Sequence, residues 1–299
     1  MSSTIVISGA SGFIGSKLAI RANELGYSVV NLDLLDRTIP GTQTRICDIR
    51  DPKSVADNFP PDATSVFHLA GLTSVLQSKL NPQGVFDSNV VGTQNLLEAA
   101  RTNDVESFIF ASTNAVVGNT EIDRIDEFQP LNPLTPYGAT KAASEMLLSS
   151  YEGSYDIRAS SMRLTNVYGQ DMFAKDSIMP RIMRALLGGA PLEVYGDGEQ
   201  WRDFVFASDV VDAFFMALDR KITGPLTIGF GESFTVREII QTVEEVTGLK
   251  VPRITGPAKV GEMRGVRVNI SKAKSLGFTP KVNLRAGISA LWQDFKTKA

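Results

Sequence analysis

Short apolar segments rich in β-branched residues alternate with segments of helical periodicity through the first 111 residues of the chain. In chain order these segments are 4–8, 13–25, 28–32, 66–69, 85–100 and 107–111. The alternation predicts an α/β fold, a doubly wound parallel sheet with helices on both faces. Ligands bind beyond the carboxyl ends of the strands in such sheets, so we expect the loops after the four strands to converge on one crevice. These loops follow Ile7, Leu32, Leu69 and Ala111.

The pattern becomes less regular from about residue 170. The elements predicted there are a helix at 178–187, a strand around Phe204 and helices at 209–218, 236–247 and 284–295. The chain has no internal repeat, low-complexity tract or Pro-rich linker. We therefore expect the second half to pack on the first as a smaller α/β region and to share its cleft.

The composition excludes several classes of function. A formal net charge of −3 with mixed acidic and basic residues gives no basic stripe for nucleic acid. The single cysteine, Cys47, cannot form an internal disulfide, and the single histidine, His68, cannot assemble a zinc site alone. No stretch reaches the roughly 18 apolar residues of a membrane-spanning helix, and segment 1–18 lacks the cationic lead of a secretion signal. We expect a cytoplasmic protein without a structural metal.

A glycine-rich loop joins the first predicted strand to the first predicted helix. Gly9 permits the tight turn, Gly12 lets a pyrophosphate approach the backbone, and Gly15 allows close contact between helix and strand. The amino end of the helix, with Phe13 and Ile14, offers unpaired N–H groups and partial positive charge to the phosphates. The loop therefore predicts a dinucleotide site.

Asp33 ends the second predicted strand, within the roughly 20-residue offset at which a carboxylate accepts hydrogen bonds from an adenosine ribose. A carboxylate there repels a 2′-phosphate and favours NAD over NADP, although Arg37 lies near enough to oppose this preference. The alternative is a solvated turn aspartate. Asp48, which we expect to close the third strand, and Ile49 after it are second candidates for the cofactor site.

Tyr137 and Lys141 lie four residues apart at the start of a predicted helix whose apolar positions include Ala142, Met146 and Leu147. This spacing puts the phenol and the ammonium on one helical face. An unperturbed tyrosine has a pKa of about 10, so a phenol that acts as a base near neutrality needs positive charge nearby. Lys141 and an oxidised nicotinamide would supply that charge.

A Ser/Thr cluster ends the strand that precedes this helix, at Ser112 and Thr113. A hydroxyl there can hydrogen-bond the substrate oxygen that the tyrosine deprotonates. Hydroxyls at strand ends also commonly bond backbone groups, and the two roles are compatible.

Ordered motifs run through nearly the whole chain. They are 9–15, 68–71, 81–82, 89–93, the segment around Thr113, Tyr137 with Lys141, 163–169, 201–205 and 209–211. With these motifs the chain resembles the extended short-chain dehydrogenase/reductases of the NAD-dependent epimerase/dehydratase family, of the UDP-glucose 4-epimerase type. The resemblance implies a Rossmann-like NAD-binding domain over 1–169, to which 208–231 return, and a mainly substrate-binding region over 170–299.

The resemblance also implies roles for individual residues. Thr113, Tyr137 and Lys141 match the catalytic triad, with Thr113 and Tyr137 at the sugar 4-oxygen and Lys141 also at the nicotinamide ribose. Further implied cofactor contacts, beyond the glycine loop and its aspartates, are Leu69, Ala70, Gly71 and Asn89. Implied substrate contacts are Thr73, Thr113, Asn166 at the nucleotide sugar, and Arg202 and Lys259 at the diphosphate. The alternative for Asn166 and Arg202 is an ordinary surface position, and for His68 we expect a packing role.

Two departures from the family pattern bear on the reaction. Asn114 and Ala115 follow Thr113, where many dehydratases carry Asp-Glu and related decarboxylases carry a nearby Glu, because elimination needs an acid and a base. This difference disfavours dehydration and decarboxylation and leaves epimerisation or simple oxidoreduction. Val117 replaces the tyrosine usual before Gly118, which leaves the packing around the sugar open.

We therefore predict an NAD-dependent 4-epimerase of UDP-glucose and UDP-galactose that works through a transient 4-keto sugar. The alternatives are an NAD-dependent sugar dehydrogenase, a nucleotide-4-keto-sugar reductase or, from another class, a catalytically idle nucleotide-binding protein. The helices predicted at 85–100 and 139–150 resemble the pair that forms a four-helix bundle in family dimers. The resemblance thus implies a homodimer.

Overall fold

The computed structural model describes residues 3–118, 124–257, 265 and 267–298. Its strands are β1 (Thr4–Ser8), β2 (Ser28–Asp33), β3 (Gln43–Ile46), β4 (Ala63–His68), β5 (Ser107–Thr113), β6 (Arg124–Ile125), β7 (Arg158–Leu164), β8 (Asn166–Tyr168), β9 (Leu192–Tyr195), β10 (Trp201–Phe206), β11 (Gly224–Ile228), β12 (Ser233–Thr235), β13 (Arg253–Gly256) and β14 (Arg267–Val268). Its α-helices are α1 (Gly15–Glu24), α2 (Pro52–Asn58), α3 (Val75–Leu80), α4 (Pro82–Phe86), α5 (Gly92–Thr102), α6 (Pro136–Ser154), α7 (Ile178–Leu186), α8 (Ala207–Asp219), α9 (Val236–Thr247), α10 (Ser271–Ser275) and α11 (Leu284–Lys298).

Seven strands form the main sheet in the order β11-β7-β5-β4-β1-β2-β3. The pairs from β3 through β7 in this order are all parallel. Ser8 lies in register with Leu32 and with His68, so β1, β2 and β4 end side by side. His68 is in register with Phe110, and β5 continues from there to Thr113. The loops after these strands therefore all leave the sheet at the carboxyl ends of the strands, on the same side. The predicted Rossmann-like α/β fold is confirmed.

Several strands of this sheet are rich in buried apolar residues because helices cover both of its faces, whereas β7 is buried but carries polar side chains. All five residues of β1 are buried, as expected of a central parallel strand. On one face, Leu96 and Leu97 of α5 and Leu148 of α6 join Val6 and Val66 in a single buried cluster. Each such side chain contributes roughly 1.5–3 kcal/mol by leaving water.

Most predicted helices are present with similar ends. The segments 13–25, 178–187, 209–218, 236–247 and 284–295 correspond to α1, α7, α8, α9 and α11. The helix predicted at 85–100 consists of α4, a π-helical turn at Asp87–Val91 and α5. The carbonyl of Asn89 in this turn accepts the hydroxyls of Thr93 at 2.5 Å and Ser144 at 2.8 Å.

One detail predicted from the sequence is wrong. Asp48 does not close the third strand, because β3 ends at Ile46. The carbonyl of Asp48 instead accepts the N–H of Asp51 at 3.0 Å, in the turn that leads into α2.

The chain divides into two compact units. The first comprises Met1–Thr120, Glu127–Leu164 and Val211–Thr227, and it holds the main sheet with α1 to α6. The second comprises Glu121–Asp126, Thr165–Val210 and Ile228–Ala299. It contains a three-strand sheet, β12-β10-β8, the pairs β13-β9 and β14-β6, and a layer in which α11 packs on α9 and α7. Within the described residues, no helix has the length and apolar character needed to cross a membrane.

Candidate active site

The glycine loop between β1 and α1 is shaped by contacts within the protein. Gly9 has a φ of +78°, and a Cβ there would lie 2.6 Å from the backbone nitrogen of Ala70. A Cβ on Gly15 would lie 2.2 Å from the carbonyl oxygen of Gly9. A Cβ on the exposed Gly12 would meet only that same oxygen, at 3.1 Å. Gly9 and Gly15 therefore set the backbone packing, while Gly12 leaves the outer surface of the loop open to a phosphate.

The amino end of α1 follows this loop. The carbonyl of Ile14 accepts the backbone N–H groups of Lys17 at 3.1 Å and Leu18 at 3.0 Å, which starts the helix. The first turn of α1 carries no acidic side chain, so its partial positive charge is not offset from within the helix. Phe13 and Ile14 are half-buried at this end. The end of α1 is thus suited to an anionic group.

Asp33 is bonded to the glycine loop. One carboxylate oxygen accepts the N–H of Ser11 at 2.8 Å, and the other accepts the N–H of Leu35 at 3.1 Å. Arg37 donates to the carbonyl of Ser11 at 3.0 Å. A carboxylate oxygen can accept more than one hydrogen bond, so the partly exposed Asp33 retains acceptor capacity for ribose hydroxyls.

Asp48 and Ile49, the second candidates for the cofactor site, are engaged elsewhere. Arg50 lies 2.6 Å from the Asp48 carboxylate, and its hydrogen bonds lower the pKa of that group. Ile49 is buried, and its carbonyl accepts the side-chain N–H of Asn95 at 2.8 Å. A Cβ on Gly92 would lie 2.6 Å from Cδ1 of Ile49. The structure thus gives Asp48 and Ile49 packing partners and leaves their cofactor role a prediction.

A buried chain of hydrogen bonds supports the loop after β4. Thr93 donates its hydroxyl to a backbone carbonyl at 2.5 Å, so it accepts from Nε2 of His68, 2.9 Å away. Nδ1 of His68 then accepts the Ser8 hydroxyl at 2.6 Å. Ser8 in turn accepts the N–H groups of Leu69 at 3.2 Å and Ala70 at 3.3 Å. Burial holds the pKa of His68 well below its ordinary value, so the ring is neutral and its Nδ1 is free to accept the Ser8 hydroxyl.

Asn89 fixes the next part of the same loop. Its amide accepts the N–H of Leu72 at 2.8 Å and donates to the Leu72 carbonyl and the Thr140 hydroxyl, both at 3.0 Å. A Cβ on Gly71 would lie 2.6 Å from Oδ1 of Asn89 and 3.8 Å from Nζ of Lys141. Gly71 therefore lets the loop pass close to both side chains. The cofactor contacts predicted for Gly71 and Asn89 stay predictions.

Tyr137 and Thr113 meet at the end of β5. Thr135 caps α6 by accepting the N–H of Gly138 at 3.2 Å, and Pro136 begins the helix, which places Tyr137 in its first turn. The Tyr137 phenol and the Thr113 hydroxyl are hydrogen-bonded. Burial raises the pKa of Tyr137 to about 12, and this hydrogen bond opposes the rise.

Lys141 lies one turn further along α6 and is only 2 % exposed. Its ammonium donates to the carbonyl of Ala111 at 2.9 Å and lies 4.3 Å from the centre of the Phe110 ring. Burial lowers the pKa of Lys141 to about 7, and the carboxylate of Glu145 opposes this effect. The pKa of Tyr137 stays raised although Lys141 lies one turn away on the same helix, so the predicted acidification of the phenol stays a prediction.

The predicted substrate residues of the second unit lie on neighbouring strands. Asn166 in β8 is in parallel register with Phe204 in β10, the strand that carries Arg202. The Asn166 amide donates to the Asp203 carbonyl at 2.9 Å, and Arg202 donates to the Trp201 carbonyl at 2.8 Å. Both side chains are half-buried.

The remaining predicted substrate residues lie in loops. Thr73 is exposed just before α3, in the loop that follows β4. Lys259 lies outside the described residues.

Two residues that support this site, Ser8 and Glu145, were not predicted from the sequence. The signal for Ser8 is a hydroxyl at the end of a strand whose every residue is buried. The signal for Glu145 is its position four residues after Lys141, one helical turn away on the same helix.

Comparison with known proteins agrees with this arrangement. The model of the NAD dependent epimerase/dehydratase family matches residues 5–229. A putative UDP-glucose 4-epimerase of Methanocaldococcus jannaschii is 34 % identical over 294 residues, which cover 95 % of each chain.

Solved structures of similar proteins share the fold over the full length. The crystal structure of a UDP-glucose 4-epimerase from Thermotoga maritima with UDP-glucose has a TM-score of 0.93 and 30 % identity and covers 99 % of each chain. That of the Thermus thermophilus UDP-glucose 4-epimerase with NAD has a TM-score of 0.90 and 32 % identity, and the match covers 99 % of this chain and 100 % of that one.

Proposed function

Because the chain belongs to the NAD-dependent epimerase/dehydratase family, we propose that it is a nucleotide-sugar 4-epimerase that interconverts UDP-glucose and UDP-galactose. The observation that carries this proposal is the meeting of three groups at the end of β5. The Thr113 hydroxyl is bonded to the Tyr137 phenol, and the buried Lys141 ammonium is bonded to the carbonyl of Ala111 two residues earlier. Such a cluster can remove and return the proton of a sugar hydroxyl.

The described residues fit the family's NAD. The open surface at Gly12 and the amino end of α1 suit the pyrophosphate, and the remaining acceptor capacity of Asp33 suits the adenosine ribose. The loop at Gly71, with Lys141 beside it, would hold the nicotinamide end. Bound NAD supplies an acceptor, and then a donor, for the hydride of the sugar.

The proton transfers fall to the residues of the chain itself. Tyr137 takes the proton of the 4-hydroxyl, and Thr113 donates a hydrogen bond to the same oxygen. The positive charge of the buried Lys141 would help to stabilise the phenolate. After the 4-keto sugar has turned over, Tyr137 returns the proton to the 4-oxygen, and the sugar leaves with the opposite configuration.

Substrate contacts, domain roles and assembly complete the proposal. Thr73, Asn166, Arg202 and Lys259 would contact the nucleotide sugar, and an arginine suits a diphosphate because its planar fork donates two hydrogen bonds. The first unit would bind NAD, and most of the second unit would bind the substrate. The proposed location is the cytoplasm.

The proposed assembly is a homodimer. Three apolar side chains on adjoining helices of the first unit support it: Leu80 on α3, Phe86 on α4 and Met146 on α6 are exposed by 78 %, 46 % and 66 %. Large exposed apolar side chains on adjoining helices are typical of an interaction site.

The test is an assay of the purified protein without added cofactor. We expect co-purified NAD, detected by mass spectrometry, and interconversion of UDP-glucose and UDP-galactose. Tyr137→Phe is expected to lower the rate steeply while NAD binding is retained, whereas the control Tyr155→Phe, at the far end of α6, retains activity. UDP-N-acetylglucosamine and UDP-glucuronate assayed in parallel identify the preferred sugar.

The alternatives give different results in the same assay. A dehydrogenase or reductase requires added cofactor and produces one equivalent of NADH or NAD per sugar. An idle binding protein turns over no sugar nucleotide with or without cofactor. Absence of turnover on every nucleoside-diphosphate hexose contradicts the proposed reaction.

A further inference from the structure

A buried ion pair joins α6 to β7 in the first unit. The side chains of Glu145 and Arg163 are only 7 % and 5 % exposed. Nη2 of Arg163 donates to one carboxylate oxygen at 2.8 Å, and Nε donates to both, at 3.1 and 3.2 Å. In this forked geometry the guanidinium and the carboxylate hold each other in a single orientation.

The pair is bonded to both elements that carry the proposed catalytic groups. Ser112, which precedes Thr113 in β5, donates its hydroxyl to the Glu145 carboxylate. On α6, Glu145 lies one turn after Lys141, whose ammonium is bonded to β5. Glu145 therefore joins the middle of α6 to the end of β5 and to the end of β7.

Arg163 extends the connection to the edge of the sheet. Its Nη1 donates to the carbonyl of Glu127 at 3.4 Å. The carboxylate of Glu127 accepts the N–H of Thr227 in β11 at 2.6 Å. The whole assembly is buried, so each of its members contributes to one defined arrangement.

The energetics of a buried ion pair indicate that it orients neighbouring side chains and adds little to the stability of the folded protein. Removing two charges from water costs about as much as their attraction returns, and apolar residues of similar volume often serve stability equally well. We propose that Glu145 and Arg163 form a positioning pair that holds the Thr113 hydroxyl and the Tyr137 phenol at the separation that proton transfer requires. This inference rests on the proposed function, and the pair acts through Ser112 and α6, without touching the substrate.

The experiment compares three variants of the full-length protein with bound NAD. The double variant Glu145→Met/Arg163→Met replaces the ion pair with unbranched apolar side chains, of which methionine matches glutamate in length and is shorter than arginine. Ser112→Ala removes only the bond between β5 and the pair. The control Glu106→Gln breaks an exposed ion pair, Glu106 with Arg158 at 3.0 Å, that joins the same two strands at their opposite ends.

We expect the double variant to retain the parent's NAD content and KM while kcat falls about 10- to 100-fold, because misplacement by about 1 Å affects mainly the transition state. Ser112→Ala is expected to lower kcat in the same way by a smaller factor, and Glu106→Gln to leave kcat unchanged. A folded double variant with the parent's kcat overturns the proposal. If the double variant does not fold, Ser112→Ala decides: an unchanged kcat overturns the proposal and a reduced kcat at constant KM supports it.

A readout without turnover separates this inference from the proposed function. No turnover of any sugar nucleotide by the parent protein contradicts the proposed function alone. A crystal structure of the double variant, or of Ser112→Ala, then tests the pair directly. A Tyr137 hydroxyl withdrawn from Thr113 supports the positioning role, and an unchanged hydrogen bond overturns it.

Discussion

The buried ammonium of Lys141 should make the stability of the protein depend on pH in a direction opposite to that of a salt-bridged lysine. Its pKa is about 7 in the folded chain against an ordinary value of 10.5. Each pKa unit corresponds to about 1.4 kcal/mol, so burial of the charged form costs up to about 5 kcal/mol. The perturbation that tests this is Lys141→Met, which keeps the length of the side chain and removes the charge.

The sign follows from which state holds the proton. Below pH 7 the lysine is charged in the folded and unfolded chain, and the folded state bears the full cost. Between pH 7 and 10.5 the unfolded chain keeps the proton that the folded chain has lost, so stability rises by about 1.4 kcal/mol per pH unit. Above pH 10.5 the cost is gone.

The assay is urea unfolding of nucleotide-free parent and variant at pH 7 and pH 9, followed by circular dichroism. We expect Lys141→Met to be the more stable protein at pH 7, and its advantage to shrink by about 2 kcal/mol at pH 9. Lys274 is exposed, and the variant Lys274→Met serves as the control. The change in its unfolding free energy between the two pH values is subtracted from that of Lys141→Met. A difference between parent and variant that is the same at both pH values would refute the reasoning that this ammonium is desolvated.

Three further predictions concern the cofactor site and the surface. Gly15→Ala places a Cβ 2.2 Å from the Gly9 carbonyl, so we expect a loss of about 1–3 kcal/mol in stability and weaker NAD binding, measured by thermal unfolding and calorimetric titration. Asp33→Asn removes the charge that repels a 2′-phosphate and should lower the preference for NADH over NADPH at least about tenfold in fluorescence titrations; an unchanged ratio contradicts this role. Light scattering should give the mass of a dimer for the parent and of a monomer for Met146→Glu. The control is Ile254→Glu, a substitution at an exposed apolar position in the second unit. A monomeric parent rules out the dimer.

The sequence was sufficient to predict β1, β2, β4 and β5 because these strands are mostly buried and rich in apolar residues. The strand β7 is equally buried but was not predicted, because serine and arginine side chains interrupt its apolar pattern. The edge strand β3 is partly exposed and has no such pattern, so its end could not be placed and Asp48 was wrongly predicted to close it. The two-residue strands β6 and β14 are too short to show any period and exist only through their pairing with each other. Family membership, the α/β fold and the dependence on NAD are confirmed.

Some features of the candidate site could likewise be predicted from the sequence, and others could not. Gly12, Asp33, Thr113 and Lys141 could be found because each depends on local spacing or on the end of a strand. The bonds from Ser8 to His68 and from Glu145 to Arg163 join segments far apart in the chain, and no local pattern identifies the partner of either residue. Burial, which sets the direction of the pKa of Tyr137, is also a property of the folded molecule. The contacts of individual residues with NAD and with substrate stay predictions.

The last strand of the main sheet arrives late during protein synthesis. β7 ends at Leu164, and its outer neighbour β11 begins at Gly224, about 60 residues later. At roughly 5–20 residues per second, a ribosome needs about 3 to 12 s to supply that neighbour. Throughout this interval the nascent chain presents an unpaired strand edge, which is a template for aggregation. The yield of native protein should therefore depend on how quickly the segment between β7 and β11 is translated and on chaperones that bind the unpaired edge of β7.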